Sequence, residues 1–156
     1  MTSQIDARLK ELGITIPAAS APAANYVPFV KTGDLVFVSG QVPFVDGKLT
    51  AWQGKVGKEF TTEEGQACAR ICALNILSHV KAACEGDLDR VVRCVKLSGF
   101  VNCIDGFGEQ PKVINGASDL MVEVFGDKGR HARFAVGTNA LPMNVAVEID
   151  AVFEIR

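Results

Sequence analysis

Near the C-terminus, apolar and polar side chains alternate with a period of two. Val145, Val147, Ile149, Ala151, Phe153 and Ile155 form the apolar row, and Glu148, Asp150 and Glu154 fall between them. Such alternation describes a strand with one face on a core and the other turned away. Glu148 is therefore expected on the face opposite the apolar row, with Ala146 and Val152 beside it. A different period runs through residues 66 to about 83. There Cys68, Ile71, Cys72, Leu74, Ile76 and Val80 recur at helical spacing on more than one stripe, which predicts a heavily buried helix. Thr61-Thr62-Glu63-Glu64 opens it as a capping box, the Thr61 hydroxyl facing the Glu64 amide, and Glu85-Gly86 stops it. A second helix is predicted from about Pro111, with Val113, Ile114, Ala117, Leu120, Met121, Val124 and Phe125 on its apolar face and Gly126 and Gly129 at its end.

Apolar runs at 26–30 and 35–39 flank Lys31-Thr32-Gly33-Asp34 and predict a hairpin. Further strands are expected at 88–101, 132–138 and 145–155. The order β-β-α-β-α-β-β makes an α+β protein, a mixed sheet backed by two helices. Residues 1–25 read as a short amphipathic helix (5–12, ending at Gly13) and a Pro/Ala-rich lead-in, with residues 26–156 as the single domain. The Gly- and Lys-rich stretch 45–60 reads as a long surface loop, in which Trp52 is either a lid or a packing anchor.

The length, 156 residues, fits one domain able to bury roughly 68–70% of its unfolded surface. Sixteen Lys and Arg against 18 Asp and Glu give a net charge of −2, which argues against a nucleic-acid partner held by bulk charge. No apolar run approaches the ~20 residues of a membrane span, and the opening MTSQIDARLKELG has neither the basic stretch nor the apolar core of a secretory signal. A cytoplasmic location and no membrane partner are expected. The odd cysteine count (Cys68, Cys72, Cys84, Cys94 and Cys103) points to reduced, buried thiols. His79 and His131 show no ligand spacing with the Cys68/Cys72 pair, so no metal is expected. P-loop, HExxH, GxSxG and GxGxxG signatures are all missing, and neither composition nor periodicity selects a reaction.

Three blocks carry a resemblance: YVPFVKTGDLVFVSGQVP (26–43), QACARICALNILSHVKAACEGDLDRVVRCVKLSGFV (66–101) and ARFAVGTNALPMNVAVEIDAVFEI (132–155). Together they resemble the RidA/YjgF reactive-intermediate deaminase family, also known as L-PSP endoribonuclease-like. The longer loop after Gln41, with QPKVINGASDL and GRHARFAVG, is similar to the family's longer branch. The resemblance implies a chorismate-mutase-like fold, a homotrimer with sites between subunits, no cofactor, and hydrolysis of enamines and imines from amino-acid metabolism to keto acids and ammonia. By matching position, it assigns Arg133 to the grip on the substrate carboxylate and Glu148 to the attacking water. Tyr26, Ser39 and Gly40 match pocket residues. Asp105 stands where the family commonly has asparagine, and Ala135 where it commonly has cysteine. An aspartate beside a carboxylate substrate is unfavourable, so this departure bears on the substrate.

Residue chemistry supports part of this assignment. Arginine offers a carboxylate a planar, two-pronged set of donors that lysine lacks, and a glutamate supplies a base or acceptor for water. Glu148 is alternatively a salt-bridge partner of Arg133, and His131, beside Arg133 in GRHAR, is a weaker candidate for a pH-dependent base. Three functions are in contention. The first is an imine/enamine deaminase, and the second is a trimeric binder of small carboxylates such as keto acids. The third, a ribonuclease, is disfavoured by the net charge and by the lack of paired acid–base residues at clear spacing.

Overall fold

Helix α2 (Thr62–Ala83) begins at the capping box read from the sequence, with Thr61 Oγ1 accepting from the Glu64 amide at 3.1 Å and Glu64 Oε1 accepting from the Thr61 amide at 3.0 Å. The computed structural model describes residues 3–20 and 25–156. Residues 21–24, within the predicted lead-in, lie outside the described residues. Eleven of the helix's residues are buried on several sides, including Cys68, Cys72, Ile76, Leu77 and His79, because α2 is covered by the sheet and by helix α3 (Gln110–Phe125).

Five strands form one sheet: β1 (Phe29–Thr32), β2 (Leu35–Gln41), β3 (Val91–Asn102), β4 (Ala132–Thr138) and β5 (Val147–Ile155), in the order β1-β2-β5-β3-β4. Only the β3–β4 pair is parallel, and α3 makes its crossover. The hairpin strand lies three residues later than the run at 26–30 predicted, and residues 88–90 form a 3₁₀ turn before β3. In β5 every odd residue is buried and every even one is partly or fully exposed, as the alternation requires. Ala146 is an exception to the expected outward set. It precedes the strand and is buried, its N–H donating to Trp52 O at 2.9 Å.

The expected surface loop at 45–60 holds no helix or strand and is mostly exposed, but it is anchored to the core at a few points. Val56 is fully buried, its N–H donates to Asn102 O at 2.9 Å, and Trp52 packs on Phe60 with ring centroids 5.5 Å apart. Trp52 is thus a packing anchor. The buried Asn102 amide donates to Gly54 O, Asn144 Oδ1 and Val145 O, while its Oδ1 accepts from Lys55 Nζ at 2.8 Å. These long-range bonds tie the loop to the β4–β5 connection. All five cysteines are buried free thiols.

Helix α1 (Gln4–Leu12) packs Leu9 into the core. The Asp89 carboxylate receives Ser3 Oγ and the Gln4 and Ile5 amides, each at 2.8 Å. Burial opposes ionisation there, but these donors outweigh it and hold the Asp89 carboxyl below its ordinary range. No helix among the described residues is long and apolar enough to cross a membrane.

Gly116 sets the closeness of α2 and α3. A Cβ there would lie 2.1 Å from the Gln66 carbonyl oxygen, so only hydrogen fits. Alanine gains roughly 0.5–1 kcal/mol of helix propensity, but forcing two helices apart costs roughly 1–3 kcal/mol or more. Gly116→Ala is expected to melt several degrees lower; a melting temperature at or above that of the unmodified protein would refute the close contact.

Candidate functional site

A β-bulge shapes the first part of the site. Between Val38↔Ala151 and Gln41↔Ile149, strand β2 holds one residue more than β5, and the surplus falls at Ser39-Gly40. Bulges redirect side chains locally. Here Ser39 Oγ donates to Val27 O at 2.7 Å, holding the segment next to Tyr26, and Gly40 clears a space for Glu148. A Cβ on Gly40 would lie 2.5 Å from Glu148 Oε2.

Tyr26, Gly40 and Glu148 line one cleft of about 460 Å³, together with Gln41, His79 and the Pro142-Met143 turn. Met143 and Asn144 both hold positive φ, 56° and 57°, an arrangement costly for residues with side chains. The Asn102 amide holds this turn in place. No Lys or Arg occurs among the described lining residues of the cleft. Glu148 accepts no hydrogen bond from the described residues. Burial, and secondarily the Asp150 charge, raise its carboxyl above the usual glutamate range.

Arg133 lies elsewhere. Its strand partner is Leu97, in the core, whereas Glu148 pairs with Phe100, whose own β4 partner is Val136. With a side-chain period of two, Arg133 faces the helices and Glu148 the open side of the sheet. The guanidinium donates through Nη1 to Ser118 Oγ at 3.0 Å and through Nη2 to Pro111 O at 3.2 Å, both on α3. No salt bridge joins Arg133 to Glu148 within the chain. Ala135 shares the helix-facing side of β4 with Arg133, as its pairing with Gly99 requires. Asp105 lines a separate shallow hollow with Gln110, Thr138 and Asn139. The chain therefore brings Tyr26, Gly40 and Glu148 together in the cleft, sets Ser39 beside it on Val27 O, and leaves Arg133, Ala135 and Asp105 outside.

His131 is engaged by its surroundings. Its Nδ1 meets Gly129 O at 2.6 Å and its Nε2 meets Ser118 Oγ at 2.8 Å. A carbonyl only accepts, so Nδ1 carries the proton, and Ser118 donates to Nε2 while accepting from Arg133. Burial, and secondarily the Arg133 charge, lower the His131 pKa against the pull of the Gly129 carbonyl. The imidazole braces Ser118 and hence Arg133.

Sequence reading missed His79 as a site residue. It is only 2% exposed, yet its ring lines the cleft, and its Nδ1 has no hydrogen-bond partner. Burial lowers its pKa and keeps the ring neutral. An unsatisfied buried polar atom costs roughly 1–3 kcal/mol. The available signal was the polar stripe Asn75, Ser78, His79 at i, i+3, i+4 within the otherwise apolar stretch 71–80 of the helix.

The Gly40 geometry predicts a separable effect. The backbone there is open to any L-residue, so Gly40→Ala is expected to fold normally but push the Glu148 carboxylate aside. The titration of the Glu148 carboxyl, read by ¹³C NMR, should shift with little change in melting temperature, and an unshifted titration would refute the close approach of Gly40 to Glu148.

The family model described as "YjgF/chorismate_mutase-like, putative endoribonuclease" matches residues 6–154. Protein TCP17 of Trypanosoma cruzi is 52% identical over 158 residues, covering 99% of this chain and 96% of its own. The crystal structure of Atu1372 from Agrobacterium tumefaciens, a protein of unknown function, superposes with a TM-score of 0.90 at 51% identity, covering 97% of this chain and 92% of its own. Escherichia coli TdcF with bound serine shares the fold at a TM-score of 0.63 and 21% identity, with 88% and 93% of the two chains covered.

Proposed function

The chain belongs to the YjgF/chorismate mutase-like family, and from that premise we propose that it hydrolyses small imines and enamines of amino acids to keto acids and ammonia. Its site is assembled between copies of the chain in a closed trimer. The observation that carries this reading is the split of the candidate residues. A cleft holding Glu148 lacks any described cation, and Arg133 lies on the opposite side of the sheet, on edge strand β4. One chain cannot apply both groups to one small molecule, but a ring of copies can set the β4 edge of each against the cleft of the next.

The open face of the sheet supports assembly. Val30 (52% exposed), Phe37 (44%), Phe134 (37%) and Val136 (41%) leave large apolar side chains in solvent; Val30 pairs with Phe37, and Phe134 and Val136 alternate along β4. A face of this kind marks an interaction surface. Sedimentation of the protein as a stable monomer at micromolar concentration would remove the composite site.

In the proposed reaction, Arg133 of one copy binds the substrate carboxylate in two-pronged fashion. Glu148 of the next takes a proton from water as the water oxygen bonds to the imine carbon. Glu148 returns this proton to nitrogen, giving a carbinolamine, and then relays the carbinolamine's hydroxyl proton to nitrogen as the carbonyl forms and the C–N bond breaks, releasing keto acid and ammonia. A carboxyl raised above its ordinary range is suited to both transfers near neutral pH. An imine hydrolyses unaided, so the site need remove only a few kcal/mol from the barrier, about 1.4 kcal/mol per tenfold. Serine bound to TdcF supports a pocket for a small amino-acid-like molecule here. The cleft's lack of described cations weighs against RNA as substrate.

The test is ammonia release from freshly generated 2-aminoacrylate, compared with the uncatalysed rate. Acceleration that saturates with substrate supports the reading. Keto acid binding without acceleration would assign the protein to carboxylate binding alone.

A further inference from the structure

Adjoining the cleft is a second hollow of about 190 Å³, and the two share Gln41, Phe44 and His79 among their linings. We propose that this recess is a specificity pocket for a substrate side chain ending in N–H donors, an amide or an amine. The inference rests on the small-molecule reading of the cleft, but on neither Arg133 nor turnover.

The polar groups around the recess are mostly acceptors. Asn75 spends both amide protons on Val42 O and Phe44 O, each at 3.0 Å, leaving Oδ1. Ser78 donates its hydroxyl proton to Asn75 O at 2.6 Å, leaving its lone pairs. Gln41 uses one N–H on Ser39 O at 2.9 Å and keeps Oε1 and its second N–H, and the Ser20 hydroxyl adds one donor and its lone pairs. Asp46 adds a carboxylate at the rim, and no Lys or Arg occurs among the described lining residues. His79, almost fully buried and neutral, adds one ring nitrogen that accepts and one that donates, and its Nδ1 is unpaired.

An acceptor-rich recess repels a carboxylate or phosphate and leaves an aliphatic side chain facing unpaired oxygens. A terminal amide or amine satisfies those oxygens. Sites built to hydrogen-bond a polar group discriminate strongly against analogues that lack it. The three helix residues at i, i+3 and i+4 are held rigidly by α2, which suits recognition better than a loop.

The chain has two histidines, so protein labelled with ¹⁵N-histidine yields two pairs of ring signals, each pair reporting one region. His79 reports the recess, and His131, through Ser118, reports Arg133. L-Glutamine and L-norleucine carry the same α-carboxylate but end in an amide and a methyl group respectively. Glutamine is expected to shift the His79 ring nitrogens saturably, with at least tenfold lower half-saturation than norleucine. Equal response of His79 to both amino acids, or no response to glutamine at concentrations well above millimolar, would overturn the recess assignment. The His131 response bears only on the carboxylate grip: silent to both ligands while His79 responds, it would sink that reading and leave the recess standing.

Discussion

Arg133→Ala is expected to lower ammonia release about a hundredfold or more while moving the melting temperature by only a few degrees. Hydrogen bonds to a charged partner are worth roughly 1.5–3 kcal/mol each, and losing a two-pronged pair costs at least the ~2.7 kcal/mol that a hundredfold requires. The structural side of the same change is small. Arg133 is only partly buried, and the two groups it leaves, Ser118 Oγ and Pro111 O, keep other partners: Ser118 retains His131, and Pro111 O remains near solvent. Arg133→Lys should recover little, because one ammonium cannot reproduce the planar fork that already spans Ser118 and Pro111. Paired turnover and thermal melts on the alanine variant decide the matter. A large melting loss with unchanged turnover per folded molecule would make Arg133 a structural brace between β4 and α3.

Much of this architecture is written locally. The alternation in β5 is local because a strand buried on one face must repeat every two residues, and it sets Glu148 outward before any contact is known. The capping box at Thr61 is equally local, since its four residues satisfy each other. What escapes a local reading depends on distant partners. The 45–60 segment looks polar and loop-like, yet Val56, Trp52 and Gly54 are ordered by Asn102 and Ala146, residues some 45 to 95 positions away. The relation between Arg133 and Glu148 escapes for the same reason. Each residue's face follows from its own strand, but their opposition follows from the strand order β5-β3-β4. His79 was visible as a histidine without metal spacing, and only the neighbouring Asn75 and Ser78 mark it as part of a polar stripe.

Glu148→Gln should separate chemistry from binding and show its effect in stability as well. Glutamine keeps the size and much of the hydrogen-bonding capacity but cannot take a proton from water. Imine turnover is expected to fall by roughly tenfold to a thousandfold, the range for losing an acid–base or orienting group, while keto acid affinity measured by calorimetry holds within a few fold. Equal losses in both would make Glu148 a brace for a neighbouring copy's arginine. The stability of the same variant should move the other way. Burial raises the Glu148 carboxyl in the folded protein, so the folded state binds its proton more tightly than the unfolded chain does. Stability from that difference is fully present below the ordinary glutamate range and is lost as pH rises through the raised folded value. Glutamine suffers no such loss. At equal protein concentration, the variant and the unmodified protein should melt closest together in acid, and the variant should melt increasingly higher as pH approaches neutrality. A constant offset across pH would show that the Glu148 charge costs the fold nothing. A variant that gains stability where it loses turnover would identify Glu148 as a carboxylate held in an unfavourable place for the sake of its chemistry.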